Sequence, residues 1–201
     1  MVNQLQQIAL VTGANKGIGL EIARQLAEAG MHVIIGARDP ALGQRAQARL
    51  AEEGLDVSVI ALDVTSPESV AAAALRIAET HGRLDVLVNN AGIFDTADGP
   101  PGEASIEAVR RVLETNFIGA LSVTQAMLPL LRRADGARIV NLSSSLGSLA
   151  LNADPGSPYY AARFIGYNAS KAALNMLTVQ LHEVLRETGI RVNSVSPGFV
   201  K

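Results

Sequence analysis

Tyr167-Asn168-Ala169-Ser170-Lys171 holds the side chains of this sequence best suited to proton chemistry. The surrounding stretch has a helical pattern. A tyrosine and a lysine four positions apart on a helix share one face, so their heads can enter one pocket. An ammonium beside a phenol stabilises the phenolate and draws the tyrosine pKa down from about 10 toward neutrality. A phenol so tuned can give a proton to a forming alcohol or take one from it. The same spacing also occurs on any amphipathic helix with an interface tyrosine and a solvated lysine, so the pair takes its meaning from what the rest of the chain brings beside it.

A second cluster lies near the amino end, in Thr12-Gly13-Ala14-Asn15-Lys16-Gly17-Ile18-Gly19. An apolar run at 8–12 reads as a buried parallel strand, and 20–29 reads as a helix closed by Gly30. Strand, glycine turn and helix together are the context a dinucleotide loop requires. Gly13 permits a tight turn, and Gly17 and Gly19 let backbone and helix approach a pyrophosphate at the helix N-terminus. The G-x-x-x-G-x-G spacing is a variant of the usual fingerprint, and an ordinary strand-to-helix turn is the competing explanation. After a second strand at 32–35 comes Gly36-Ala37-Arg38-Asp39-Pro40. Here a carboxylate suits the 2′-hydroxyl of NAD and an arginine suits the 2′-phosphate of NADP. Asp39 precedes Pro40 and reads as the N-cap of the next helix. Arg38, with Lys16 nearby, is then assigned to phosphate, which favours NADP(H) over NAD(H).

The remaining elements must position these groups. A helix at 41–53, a strand at 57–62, a helix from Ser66-Pro67 to about 80, a strand at 84–88, a helical pattern over 105–133, a strand at 137–142 and a strand at 190–194 complete a strand–helix alternation. That alternation predicts one doubly wound parallel sheet of the Rossmann kind, in a single α/β domain. Pro129 should kink or end the long helix near its close. Asp63-Val64 follows the third strand, where a carboxylate can accept from an adenine amino group or cap a turn. Asn89-Asn90-Ala91-Gly92 follows the fourth, giving small residues on which a flat ring can lie. Asn116 sits in a helix interior, where asparagine is a poor choice unless its side chain has work to do. Ser143-Ser144-Ser145 follows the fifth strand, on the side where open α/β sheets bind ligands. The Gly- and Pro-rich loop at 94–104 and the loop at 148–163 read as a substrate rim.

Composition narrows the function further. The chain has 201 residues, 48% hydrophobic, with a formal charge of −2. That fits one globular domain with a full core and carries no electrostatic footprint for nucleic acid or an anionic membrane. There is no cysteine, and His32, His81 and His182 have no zinc-ligand spacing, so no metal site is expected. No apolar run has the length of a membrane span, and a cytoplasmic location is expected.

Taken together and in order, Thr12-Gly-x-x-x-Gly-x-Gly19, Asp63-Val64, Asn89-Asn-Ala-Gly92, Asn116, Ser144, Tyr167-x-x-x-Lys171 and Pro197-Gly198 resemble the classical short-chain dehydrogenase/reductase family along essentially the whole chain. The glycine loop with Arg38 is similar to its NADPH-preferring, carbonyl-reductase-like members. The resemblance implies Tyr167 as general acid in carbonyl reduction, with Lys171 tuning it and holding the nicotinamide ribose. It implies Ser144 as donor to the substrate oxygen, with Ser143 and Ser145 as alternatives, and Asn116 as holder of a proton-relay water. It implies NADP(H) held by Gly13, Asn15, Lys16, Gly17, Ile18, Gly19, Arg38, Asp63, Val64, Asn89, Ala91, Gly92, Tyr167, Lys171, Pro197, Gly198 and Val200. A small carbonyl or alcohol substrate and a homodimer or homotetramer follow from the same resemblance. A cofactor-binding or regulatory protein without turnover is the rival reading, whereas glycine spacing and length speak against a nucleotide-sugar epimerase. Family members continue past Pro-Gly into a substrate-covering loop and a last strand, so the domain is read as 1–201 and truncated at its C-terminus.

Overall fold

Runs of Val, Ile and Leu form the strands β1 (Ile8–Thr12), β2 (His32–Ala37), β3 (Val57–Ala61), β4 (Val86–Asn89), β5 (Arg138–Leu142) and β6 (Arg191–Val195) in the computed structural model, which describes residues 6–198. All pair in parallel, in the order β3-β2-β1-β4-β5-β6. The helices between them are α1 (Gly17–Glu28), α2 (Pro40–Glu52), α3 (Pro67–His81), α4 (Ile106–Leu113), α5 (Gly119–Leu131), α6 (Leu149–Ala153) and α7 (Ile165–Leu185). The predicted doubly wound α/β sheet is therefore what the chain forms.

Alternate residues along each strand face opposite ways. Ala9, Val11, Val33, Ile35 and Val88 pack with Ala23 of α1 and Leu50 of α2. Leu10, Ile34, Leu87 and Ile139 pack with Ile77 of α3 and with Met127 and Leu131 of α5. Burial on both faces explains why β1, β2 and β4 read as continuous apolar runs. Val11 pairs with Ile35 on one side and Val88 on the other, so β1 is central. Strand order reverses between β1 and β4, and the crevice outside their carboxyl ends is where such sheets take ligands.

Two local features differ from the sequence reading. The pattern over 105–133 is not one helix: a π-helical turn, Glu114–Ile118, separates α4 from α5 and has Asn116 at its centre. The extra residue of a π turn lets Asn116 reach out to bond other elements instead of following the α-helical ladder. The loop at 148–163 contains the short helix α6, capped by Ser148, whose hydroxyl accepts from the Leu151 amide. Pro129 lies inside α5, which continues only to Leu131. At the amino end of the sheet, away from the crevice, His32 bonds Asp56 and Ser58 and its ring lies 4.9 Å from that of His81. Among the described residues, no group of three or more His, Cys, Asp or Glu could hold a metal ion. No helix among them is long and apolar enough to cross a membrane.

Candidate active site

The β1–α1 turn and the residues after β4 are knitted into one wall. The Thr12 hydroxyl accepts from the amides of Asn90 (3.0 Å) and Ala91 (2.9 Å). The Asn90 amide donates to the carbonyls of Thr12 (2.8 Å) and Gly13 (3.2 Å). Gly13 has φ 64, and a Cβ there would lie 2.9 Å from Ala91 Cα. A Cβ on Gly19 would collide with the Asn90 side-chain nitrogen. The glycines are therefore required by the close approach of two turns as well as by backbone conformation.

This wall opens onto a cavity of about 800 Å³. Gly13, Asn15, Lys16, Gly17, Ile18, Gly19, Arg38, Asp63, Val64, Ala91 and Gly92 line one part, and Ser144, Tyr167, Lys171, Pro197 and Gly198 line the rest. The space lies within the range of small-molecule and cofactor sites. Lys16 and Arg38 pair with no carboxylate among the described residues. Asp39 accepts from the amides of Ala41 (2.8 Å) and Leu42 (3.2 Å), so it caps α2 as its sequence context implied. Asp63 uses Oδ1 to cap a local turn at Thr65, which leaves Oδ2 for another donor. A glycine-walled cleft that side chains would fill, with two unpaired cations at one end, fits a phosphorylated dinucleotide.

Two expected residues do not face this cavity. Asn89 is buried behind the wall, donating to Thr124 Oγ1 and Asn141 Oδ1 at 2.9 Å each. It is the last residue of β4 and points into the helix-covered face, so the cavity receives the next residue, Asn90, instead. Strand alternation carried that signal. Asn116 is 1% exposed; its Oδ1 accepts from the Ile93 amide (2.7 Å) and its Nδ2 donates to the Ile93 carbonyl (3.0 Å) and to Ser170 Oγ (3.1 Å). Its side chain therefore acts on the site through the backbone beside Gly92. Val200 lies outside the described residues.

The groups suited to proton chemistry converge from β5 and α7. Ser143 is buried, and its hydroxyl donates to the Lys171 carbonyl (3.4 Å). The Ser145 hydroxyl meets that of Ser196 (3.3 Å). Ser144 is the serine beside the Tyr167 phenol. Burial pushes that phenol above its ordinary pKa, while the Ser144 hydroxyl pulls it down. The lowering expected from Lys171 is not what this geometry gives. Lys171 Nζ lies 5.5 Å from the Tyr167 ring centroid and donates to the Leu142 carbonyl at 2.7 Å. Lys171 is 6% exposed, and burial brings its ammonium down to about 8. Both groups thus keep their protons at neutral pH, the phenol as a donor and the amine as a cation.

The sequence reading missed the aromatic side of the cavity. Phe94 and Phe164 line it with Ile93, Leu146, Pro158 and Ala162. The Phe94 ring stands edge-on to Phe164 at 4.8 Å and to Tyr167 at 5.9 Å. Phe94, Pro158 and Ala162 lie in the two loops assigned to the substrate rim, whereas Ile93, Leu146 and Phe164 lie outside them, and none stands in a periodicity that would single it out.

Known proteins resemble the chain in both sequence and structure. A family model described as short chain dehydrogenase matches residues 7–201. The short-chain dehydrogenase anuI of Penicillium roqueforti is 36% identical over 200 residues, covering 96% of this chain and 79% of its own. The (-)-isopiperitenone reductase of Mentha piperita is 40% identical over 188 residues, covering 74% of this chain and 60% of its own. A solved metagenomic short-chain oxidoreductase in complex with NADP superposes with TM-score 0.82 at 32% identity, covering 96% of this chain and 83% of that one. A match across nearly the whole chain, on a parallel sheet whose glycine turn and tyrosine–lysine helix open onto one cavity, means that the chain belongs to the short-chain dehydrogenase family of oxidoreductases.

Proposed function

We propose that the chain reduces a carbonyl compound with an apolar body to an alcohol, using NADPH. The observation that carries this reading is the convergence of Ser144, Tyr167 and Lys171 on the cavity that the glycine turn also lines. Lys16 and Arg38 would hold the 2′-phosphate end, Asp63 the adenine, and Lys171 the nicotinamide ribose. When bound, the cofactor supplies hydride to the carbonyl carbon. The Ser144 hydroxyl donates to the substrate oxygen, where negative charge develops. The Tyr167 phenol gives that oxygen its proton, and the Ser144 hydroxyl favours the phenolate left behind. Asn116 fixes the Ile93 backbone at the wall of the site.

The substrate class follows from what surrounds the phenol. Phe94, Phe164, Leu146, Pro158 and Ala162 supply apolar surface, and the lining cations Lys16 and Arg38 come from the glycine turn and the end of β2. An uncharged, ring-bearing ketone gains from that surface, whereas a keto acid would lose hydration there against a single ammonium, Lys171, already bonded to the Leu142 carbonyl. A homodimer or homotetramer through α7 is supported by exposed Met176, Val179 and Val184 on that helix.

The test is loss of NADPH absorbance with cyclic ketones, quinones and keto acids. Turnover of the uncharged rings supports the reading. NADPH binding without turnover of any carbonyl would favour a cofactor-binding protein on the same fold.

A further inference from the structure

Asp98 is one of the few buried carboxylates in the chain, 7% exposed, and the chemistry above makes no use of it. It lies in the 94–104 loop, far in sequence from α7. Its Oδ1 accepts from the amides of Gly99 and Gly166, each at 2.9 Å, and its Oδ2 accepts from the amide of Tyr167 at 2.8 Å. The next residue completes the set: the Gly99 carbonyl accepts from the Ile165 amide at 3.0 Å.

A helix begins with amides that have no partner within it. The N-cap residue of α7, Phe164, supplies no side-chain bond. The first three amides of α7 are those of Ile165, Gly166 and Tyr167, and all three are taken by Asp98 and Gly99. A carboxylate is also the favoured charge at a helix N-terminus. The contact is close enough to dictate sequence, because a Cβ on Gly166 would lie 3.1 Å from both Asp98 Oδ2 and Val109 Cα. The same loop touches Tyr167 a second time, through the Phe94 ring. Residues 94–99 thus hold Tyr167 by its backbone and its ring together. The loop is itself anchored by the Asp95–Arg111 ion pair at 2.7 Å.

The geometry points to Asp98 as a positioning residue that latches the substrate rim to the helix of the proton donor, so that rim and phenol move as one body. The inference rests on the reading of Tyr167 as the proton donor. It assigns the 94–104 loop a part in the chemical step in addition to any contact with substrate. Asp98→Asn keeps one acceptor oxygen but turns an N–H toward an N–H. Gly166→Ala wedges the latch open from the other side.

The test compares both variants with wild type for NADPH affinity by fluorescence, kcat and KM at a temperature where all three are folded, and amide hydrogen exchange. Each variant should lose kcat on the order of tenfold to a hundredfold, as misplacement of a reacting group does. NADPH affinity should stay at the wild-type level, because the glycine turn is untouched. Exchange should quicken at 165–168 and 94–104 and remain unchanged at 13–19. Wild-type kcat in both variants with only a lower melting temperature would make Asp98 a helix cap and nothing more. Loss of NADPH affinity in step with kcat would mean general damage and also overturn the latch. Should wild type reduce none of the carbonyls, the proposed function fails, and exchange alone decides. Unchanged protection at 165–168 in Asp98→Asn then refutes the latch.

Discussion

Lys171→Met should make the folded protein more stable and leave it without reductase activity. Lys171 is 6% exposed, and burial lowers its pKa from 10.5 to about 8. At about 1.4 kcal/mol per unit, holding that proton in the fold at neutral pH costs about 3 kcal/mol. Methionine has a similar length and carries no charge. It forfeits the charged bond to the Leu142 carbonyl, at 2.7 Å, which returns about 2 kcal/mol. The variant should therefore gain roughly 1 kcal/mol at neutral pH. The sign depends on pH in a definite way. Between about 8 and 10.5 the unfolded wild type still holds the proton that the folded chain has released. Wild-type stability then rises with pH across that window, and the contribution from position 171 of the variant does not. The difference should shrink steadily, pass through zero inside the window and leave the variant the less stable protein near the upper end, where only the lost bond to Leu142 remains. Urea unfolding followed by circular dichroism, on both proteins at matched pH values, measures it, since other titrating groups are common to the two. A variant less stable than wild type at neutral pH would refute the reasoning, and so would a difference that stays flat across the window.

Tyr167→Phe should lower kcat by about 10²–10⁴-fold with NADPH affinity unchanged, and retained turnover would show that another group moves the proton. Arg38→Asp should lower the NADPH-to-NADH ratio of kcat/KM by roughly 10–100-fold, the worth of one charged hydrogen bond to phosphate; an unchanged ratio would remove Arg38 from the phosphate site. Thr12→Val leaves the Asn90 and Ala91 amides without their acceptor, which should cost about 2–4 kcal/mol in urea unfolding and weaken NADPH binding. A stability change of less than about 0.5 kcal/mol would mean that the two turns are not joined through that hydroxyl.

The sheet was legible because its central strands β1, β2 and β4 are buried on both faces, which turns each into a short apolar run, while the exposed edge strand β6 was placed by the alternation of elements. Asp39 and Ser66 announce α2 and α3 for the same local reason: both accept from amides of the first turn. The break at Glu114–Ile118 was not legible. Apolar periodicity runs through it from α4 into α5, and the cause of the π turn is not local. It lies in the bonds from Asn116 to Ile93 and Ser170, two segments distant in sequence.

For the site, sequence indicates residue types more readily than the directions in which they point. Asn89 and Asn90 are adjacent and identical in chemistry, yet one bonds Thr124 of α5 and Asn141 of β5 and the other stitches the cavity wall. Only the pleat of β4 separates those roles. The same limit applies to Lys171, which was expected to lower the pKa of the phenol. Spacing places phenol and ammonium on one helix face, but the buried Leu142 carbonyl claims the ammonium, and burial then sets the protonation of both. Asp98 is the extreme case. It is an acidic residue of ordinary type in a Gly- and Pro-rich loop, and it shows no spacing to α7 that a periodicity could register. Its partners are backbone amides, which have no sequence signature at all. Residues that position a site through the backbone are therefore the ones a sequence hides best, and in this protein Asp98 and Gly99 take the first three amides of the helix that carries Tyr167 and Lys171.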